Sequence, residues 1–156
     1  SGTKVGEMIF NTSLTGYQEI LTDPSYAGQF IVFCMPEIGI VGVNDDDIES
    51  LSNTPHTSAI IIRNYNDFYS NFRAKESLGK YLKKHNVIGI SNINTRLLTK
   101  TLRECGALNA VISDEIFDID KLKSILEQSP KINEIDYIAN ISSKKSKINI
   151  FHTNKW

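Results

Sequence analysis

The sequence predicts an α/β domain in which helices flank a partly parallel sheet. Amphipathic segments lie between and after short apolar runs, and strands that alternate with helices usually form sheets with parallel neighbours. At 156 residues, with 40% apolar side chains, the chain is large enough to bury the core of one such domain. The apolar runs are rich in β-branched residues and too short for helices, and they cover residues 29–35, 59–62, 87–90 and 107–112.

Three helices are predicted from apolar side chains that recur at helical spacing and therefore share one face. Asn94 or Thr95 can cap the second helix through a side-chain oxygen, and Gly106 supplies its left-handed exit. Asp118 and Asp120 place negative charge at the start of the third helix. The three apolar sets are Leu78, Tyr81, Leu82 and His85, then Leu98, Leu102 and Cys105, then Ile119, Leu122 and Leu126.

Two stretches interrupt this alternation. Residues 36–55 lack a clear periodicity, and connections of this length often form binding surfaces. Residues 131–156 are rich in Lys, Asn and Ser, which is typical of a solvated linker. We therefore expect one domain over residues 1–130, followed by a linker.

The charge balance, 17 basic against 18 acidic side chains, gives no electrostatic reason to expect binding to nucleic acid or an anionic membrane. No apolar run reaches the roughly 20 residues of a membrane-spanning helix, and no signal-peptide core follows the first residues. We expect a soluble, cytoplasmic protein. Its two cysteines, Cys34 and Cys105, are expected to be buried free thiols rather than a disulfide or a zinc site.

Asp23, Pro24, Ser25 and Tyr26 form a predicted turn. Asp23 can accept hydrogen bonds from backbone amides and Pro24 fixes φ, which leaves the Ser25 hydroxyl available to solvent or to a ligand. On residue types alone, a plain turn without a ligand is the favoured interpretation of this segment, because Asp, Pro and Ser are common turn residues.

Several longer motifs carry a family resemblance. The first, GEMIFNTSLTGYQEILTDPSY at residues 6–26, combines polar, aromatic and turn-forming residues that rarely occur together by chance. The others follow in order as IGIVGVN at 38–44, DIES at 47–50, SNFR at 70–73, TRLLTK at 95–100 and LRECG at 102–106. Together they resemble the N-terminal domain of the small, glutamine-hydrolysing subunit of carbamoyl phosphate synthetase.

The resemblance implies a swivelling β/β/α-type domain, without the family's first hairpin, that precedes an absent class I glutamine amidotransferase domain. In that family the domain docks the glutaminase domain on the large synthetase subunit. Glutamine is hydrolysed in the glutaminase domain, and ammonia passes to the large subunit, where bicarbonate and ATP with Mg yield carbamoyl phosphate for arginine and pyrimidine biosynthesis. These residues alone are expected to be inactive and to need no cofactor.

The resemblance also assigns site residues. Ser25 would contact glutamine, and a hydroxyl can donate to the carboxylate and accept from the ammonium of an amino acid. Asn11, Ser13 and Leu14 resemble a segment near the route of ammonia between subunits, and Arg96 is the predicted interface anchor. No residue is assigned to catalysis or to a metal.

Two departures from the family pattern bear on these contacts. The family's I-D-T-R reads Ile93-Asn94-Thr95-Arg96 here, and its Y-P-H-I-G-N reads MPEIGI at residues 35–40. Asn94 can still cap a helix as Asp would, although it removes a negative charge. Because the family's two preceding strands are missing, residues 6–11 are expected near an incompletely paired sheet edge.

Two other classes of function stay open at this point. In a stand-alone interaction module, Ser25 would be a turn residue and the long connection would bind another protein. An independent enzyme is disfavoured by the lack of a nucleophile–base pair or a phosphate loop. Cys34 lies in an apolar run and Cys105 at a helix end, unlike an exposed thiolate beside a histidine.

Metal binding is not expected either. His56, His85 and His152 are scattered, without a second histidine at ligand spacing. The acidic residues 44–49 lack the alternating ligands and the central glycine of a calcium loop, so a solvated acidic turn is the simpler interpretation.

Overall fold

A computed structural model describes residues 2–50, 54–130, 135–136 and 141–142 of the chain. Within these residues the strands are β1 (Thr3–Asn11), β2 (Phe30–Phe33), β3 (Glu37–Ile38), β4 (Ala59–Ile61), β5 (Asn64–Tyr65), β6 (Ile88–Ile90) and β7 (Leu108–Ser113). The helices are α1 (Tyr17–Thr22), α2 (Leu78–Lys84), α3 (Thr95–Cys105) and α4 (Ile119–Gln128), with a 3-10 helix at Pro24–Tyr26.

Five of these strands form one sheet in the order β6-β4-β2-β1-β7. The pairs β1/β2, β2/β4 and β4/β6 are parallel, and β7 returns antiparallel to β1. The short strands β3 and β5 form a separate parallel pair. The predicted α/β class and the partly parallel sheet are confirmed.

β1 is an inner strand of this sheet. Its first part, from Thr3 to Met8, pairs with β7, and its second part, from Met8 to Asn11, pairs with β2. The expected edge is therefore wrong for residues 6–8, because the antiparallel return of β7 covers them, whereas Ile9 to Asn11 pair with β2 on one side only. The outer strands of the sheet are β6 and β7.

The two faces of the sheet pack against different helices. Ile31, Phe33 and Ile60 point to the face that is covered by α1 and α2. Phe30 and Val32, which alternate with them along β2, point to the other face, where Leu102 and other residues of α3 cover them. These strand residues are buried. The sheet is thus closed on both sides, as expected for parallel strands.

The helix ends follow the predicted chemistry. The Asn94 side chain accepts a hydrogen bond from the backbone N–H of Leu97, and Gly106 leaves α3 with φ of +83°. The Asp118 side chain accepts from the backbone amides of Asp120 and Lys121 at the start of α4. α1 was not predicted, because it has only six residues and no side-chain cap at Gly16.

The connection after β2 is better ordered than its sequence indicates. Ile38 and Val43 are buried in the core, and Val43 forms an isolated antiparallel bridge with Glu76. Glu37 receives hydrogen bonds from the side-chain amides of Asn64 and Asn66. Residues 36–50 are therefore attached to the body of the domain by buried apolar side chains and by backbone pairing.

One cysteine prediction is corrected. Cys34 is half-buried, but Cys105 is exposed, because it is the last residue of α3, beyond the buried Leu102 that packs on the sheet. No helix in the part of the chain that the model describes has the length and apolarity to cross a membrane.

Candidate functional site

The predicted site residues collect at one edge of the sheet. Parallel strands end at the same edge, so the segments that follow β1, β2, β4 and β6 lie near one another there. Asn11 ends β1, and Ser13 and Leu14 follow it. Arg96 lies in the first turn of α3, which begins shortly after the end of β6. In open α/β sheets this edge is the usual place for ligands.

Asn11 is fixed at this edge by three hydrogen bonds. Its backbone oxygen accepts from the N–H of Cys34 at 3.0 Å. Its side-chain Oδ1 accepts from the N–H of Ser13 at 2.8 Å, and its Nδ2 donates to the Tyr26 hydroxyl at 3.1 Å. Asn11 therefore joins the end of the strand, the following loop and the 3-10 helix.

Ser25 lies in that 3-10 helix and is exposed. The Asp23 side chain accepts a hydrogen bond from the Ser25 N–H at 2.8 Å, and the Tyr26 N–H donates to the Asp23 carbonyl at 3.1 Å. Within the described residues the Ser25 hydroxyl has no hydrogen-bond partner. The turn thus fixes the backbone of Ser25 while its hydroxyl stays open to solvent, as the residue types predict.

α1 anchors the segment before this turn by polar contacts that the sequence reasoning missed. The Tyr17 hydroxyl donates to the Gly42 carbonyl at 2.6 Å, and Gln18 exchanges two hydrogen bonds with the backbone of Asn44. Burial raises the pKa of Tyr17, so its hydroxyl stays neutral and keeps its proton for this bond. The signal available in the sequence was the unusual TGYQE motif itself, whose Tyr and Gln are both buried.

A small cleft of about 220 Å³ opens above α1, lined among others by Gly16, Glu19, Val41 and Arg73. The guanidinium group of Arg73 forms ion pairs with Asp46 at 3.8 Å and with Asp47 at 3.3 Å. The positive charge of Arg73 in the cleft is therefore balanced by carboxylates of the same chain. The cleft lies next to the loop that carries Ser13 and Leu14.

Three of the carboxylates in residues 44–49 are paired with cations of this chain. Lys75 forms an ion pair with Asp45, and Arg73 forms ion pairs with Asp46 and Asp47. The Asn44 side chain accepts hydrogen bonds from two backbone amides of the turn. In the described ranges no group of three or more His, Cys, Asp or Glu side chains is arranged to hold a metal.

A loop at residues 68–72, called here the aromatic loop, displays apolar side chains to solvent. Phe68 is 95% exposed and Phe72 is 97% exposed. The loop is nevertheless held in place, because the Ser70 N–H donates to the Ile40 carbonyl at 2.9 Å and the Asn71 side chain donates to the Val41 carbonyl at 3.2 Å. Ordered and exposed apolar side chains of this kind are typical of contact surfaces.

Two further exposed apolar residues lie at the sheet edge, one of which, Leu14, is itself a predicted site residue. Leu14 is 75% exposed and Leu97, next to Arg96, is 60% exposed. Arg96 is itself exposed and forms no salt bridge within the described residues. The structure thus joins Asn11 to Ser13 and to the neighbour of Ser25, whereas no hydrogen bond or salt bridge among the described residues joins Arg96 to them.

The remaining candidate groups that the structure describes show no catalytic arrangement. The half-buried Cys34 thiol lies 3.2 Å from the Thr99 hydroxyl, which is not a base that could activate it. The His85 ring lies tilted against the Tyr81 ring with centroids 4.7 Å apart, and its buried Nε2 has no hydrogen-bond partner among the described residues. His152 lies outside the described residues.

A further cavity, of about 590 Å³, lies beside the outer strand β6 and is mainly apolar. Ile60, Leu82 and Val87 contribute to its wall. None of the predicted site residues lines it, so it is separate from the candidate site.

Comparisons with known proteins agree on one family. The model of the "Carbamoyl-phosphate synthase small chain, CPSase domain" family matches residues 1–112. The carbamoyl phosphate synthase small chain of Campylobacter jejuni is 56% identical over 146 residues, which are 94% of this chain and 39% of the relative. Those of Helicobacter hepaticus and Aquifex aeolicus are 51% and 47% identical over 145 and 143 residues, which are 93% and 92% of this chain and 38% of each relative. The chain thus spans about two fifths of the length of these relatives.

Proposed function

This chain belongs to the carbamoyl phosphate synthase small chain family, and we propose that it forms the N-terminal part of a glutamine-dependent carbamoyl phosphate synthetase. Its role there is to position glutamine and to dock the glutaminase domain on the synthetase subunit. Glutamine is hydrolysed outside this chain, and the ammonia is used by the partner, which holds ATP and Mg. The enzyme works in the cytoplasm, and residues 131–156 lead toward the glutaminase domain.

The observation that carries this proposal is the exposed hydroxyl of Ser25 on a fixed turn. A rigid backbone holds a binding group in place before the ligand arrives, which reduces the entropy lost on binding. The hydroxyl can donate to the carboxylate of glutamine and accept from its ammonium group. Positioning of this kind leaves bond cleavage to a separate nucleophile.

The docking role is supported by the apolar side chains that the chain exposes. The aromatic loop, Leu14 and Leu97 present large side chains to solvent, and aromatic residues are enriched at protein interfaces. The cations close to the aromatic loop, Arg73 and Lys75, are already paired with carboxylates of this chain. The partner surface for this loop is therefore expected to be apolar rather than acidic.

Replacing Ser25 by Ala in the complete enzyme tests the glutamine role. Loss of hydrogen bonds to a charged ligand costs about 1.5–3 kcal/mol, so the KM for glutamine is expected to rise roughly ten- to a hundredfold. Synthesis from added ammonia should be unchanged, since it bypasses glutamine. Ser124→Ala, on the exposed face of α4, is the matched control and should leave both activities intact.

The docking role is tested separately by Phe68→Ser with Phe72→Ser. This pair is expected to weaken the association of the small chain with its partner and to leave the fold intact, because both side chains are almost fully exposed. If association is unchanged, the aromatic loop is not the docking surface.

A stand-alone interaction module is the alternative function, and the aromatic loop would serve it equally well. The two are separated by Ser25→Ala, because an interaction module predicts no change in the KM for glutamine. The purified chain itself is expected to release no ammonia from glutamine. Glutaminase activity that disappears on alkylation of Cys34 or Cys105 would contradict this expectation.

A further inference from the structure

We propose that Tyr26 is a positioning residue of the glutamine site, which fixes the turn of Ser25 to the loop of Ser13 and Leu14 through Asn11. The inference rests on the proposed function, since it concerns the residue beside the proposed glutamine contact. It assigns a role to a hydroxyl that does not itself touch the ligand.

The first observation is that the Tyr26 side chain is held at both ends. Its ring packs against the core cluster that includes Ile31 and Phe33. Its hydroxyl, at the far end of the ring, accepts the 3.1 Å hydrogen bond from Asn11 Nδ2. A tyrosine fixed in this way has little rotamer freedom, so its backbone is fixed as well.

The second observation concerns the backbone on either side of the ring. The Tyr26 N–H donates to the Asp23 carbonyl at 3.1 Å, and the Tyr26 carbonyl accepts from the N–H of Gln29 at 3.1 Å. Ser25 lies inside this closed turn and its own hydroxyl is unbonded within the described part of the chain. The orientation of Ser25 is therefore set by the residues on either side of it. Of these, Tyr26 makes the side-chain hydrogen bond to Asn11 at the sheet edge.

The third observation is that Asn11 shares its side chain between two segments. Its Nδ2 bonds Tyr26, and its Oδ1 accepts from the Ser13 N–H at 2.8 Å. One amide group thus connects the glutamine turn with the loop that is the candidate for the ammonia route. Loss of the Tyr26 hydroxyl would leave the ring packed but would remove this connection.

Tyr26→Phe in the complete enzyme tests the inference. Because one partly buried hydrogen bond is lost and Ser25 is left in place, the KM for glutamine is expected to rise about two- to tenfold. The rate with added ammonia should stay unchanged, and the midpoint of thermal unfolding should fall by only a few degrees, as the loss of one hydrogen bond allows. Tyr65→Phe is the matched control, since the Tyr65 hydroxyl bonds Asp67 and the backbone N–H of Gly79 rather than Asn11, and it should change neither the KM for glutamine nor the rate with added ammonia.

The hydrogen bond can be lost only once, so the double variant Asn11→Ala with Tyr26→Phe should have a KM for glutamine no higher than that of Asn11→Ala alone. If the double variant raised the KM for glutamine by the product of the two single-variant factors, the proposed connection would be overturned. An unchanged KM in Tyr26→Phe, measured beside a raised KM in Ser25→Ala, would overturn this inference and leave the proposed function standing. An unchanged KM in both variants would overturn the proposed function as well.

Discussion

Gln18 and Asn44 are joined by a closed pair of hydrogen bonds inside the domain. Gln18 Nε2 donates to the Asn44 carbonyl at 2.6 Å, and the Asn44 N–H donates to Gln18 Oε1 at 2.9 Å. Both residues are at most 4% exposed. The Gln18 side chain, on the short helix α1, thus satisfies the backbone N–H and carbonyl of a loop residue 26 positions away, where water has no access.

Gln18→Leu should therefore destabilise the domain by about 3 kcal/mol, because it leaves a buried N–H and a buried carbonyl of Asn44 unpaired. Urea unfolding of the wild type and the variant measures the difference. Gln128→Leu, at the exposed end of α4, makes the same chemical change without a buried partner and should shift the unfolding free energy by less than about 0.5 kcal/mol. Similar values for both variants would contradict the assigned role of the pair.

Gly6→Ala should destabilise the domain by about 2 kcal/mol. A Cβ at this position would lie 2.6 Å from the Gly28 carbonyl oxygen and 2.9 Å from a ring carbon of Phe30, both in the packed interior of the sheet. Gly89→Ala is the matched control in another strand, since its Cβ would meet only side-chain carbons at 3.5 Å and 3.7 Å. The midpoint of thermal unfolding should be clearly lower for Gly6→Ala than for Gly89→Ala. Equal midpoints would show that the backbone at Gly6 can shift away from Gly28 and Phe30 at little cost.

Asn94→Ala should lower the unfolding free energy by about 1 kcal/mol, because it removes the side-chain acceptor that caps α3. Asn94→Asp should preserve stability or increase it slightly, since a carboxylate accepts the same bond and carries negative charge at the positive end of the helix dipole. Urea unfolding of the two variants decides this. A loss in Asn94→Asp as large as in Asn94→Ala would mean that the amide group has a role other than capping.

Stability should fall as the pH is lowered below about 6.5, through His85. Burial lowers the pKa of His85, the nearby Lys84 lowers it further, and Glu76 opposes this shift. The unfolded chain, with an ordinary histidine pKa near 6.5, therefore takes up the proton more readily than the folded domain. The contribution is fully present above pH 6.5 and is lost as the pH falls through the lower pKa of the folded state.

Unfolding by urea at pH 7.5 and pH 5.5 measures this dependence. His85→Phe keeps a ring against Tyr81 but cannot be protonated, so the difference between the two pH values should be smaller in this variant. An equal difference in both proteins would assign the pH dependence to other groups.

Much of the fold could be predicted because its signals are local. The strands β2, β4, β6 and β7 coincide with apolar runs, and the ends of α3 and α4 with Asn94, Gly106 and Asp118. The inner position of β1 could not be predicted in this way, since it depends on pairing with β7 about a hundred residues later. The same limit applies to the bonds between Gln18 and Asn44.

The candidate site was predicted only in its local part. The turn of Ser25 follows from Asp23 and Pro24, whose chemistry acts within four residues. The bond between Asn11 and Tyr26 joins two segments that meet only in the folded domain. The aromatic loop was missed because apolar residues such as Phe72 are normally assigned to the core, and only the structure shows them in solvent.

The pairing of β1 with β7 also bears on how the domain is made by the ribosome. The hydroxyls of Thr3 and Ser113, which lie 110 positions apart, meet across these strands at 2.8 Å. Translation delivers β1 about a hundred residues before β7, so the part of β1 that pairs with β7 lacks this partner until β7 leaves the exit tunnel. The pairing of β1 is therefore completed late, and stalled nascent chains that end before residue 108 should engage holdase chaperones through an unprotected β1.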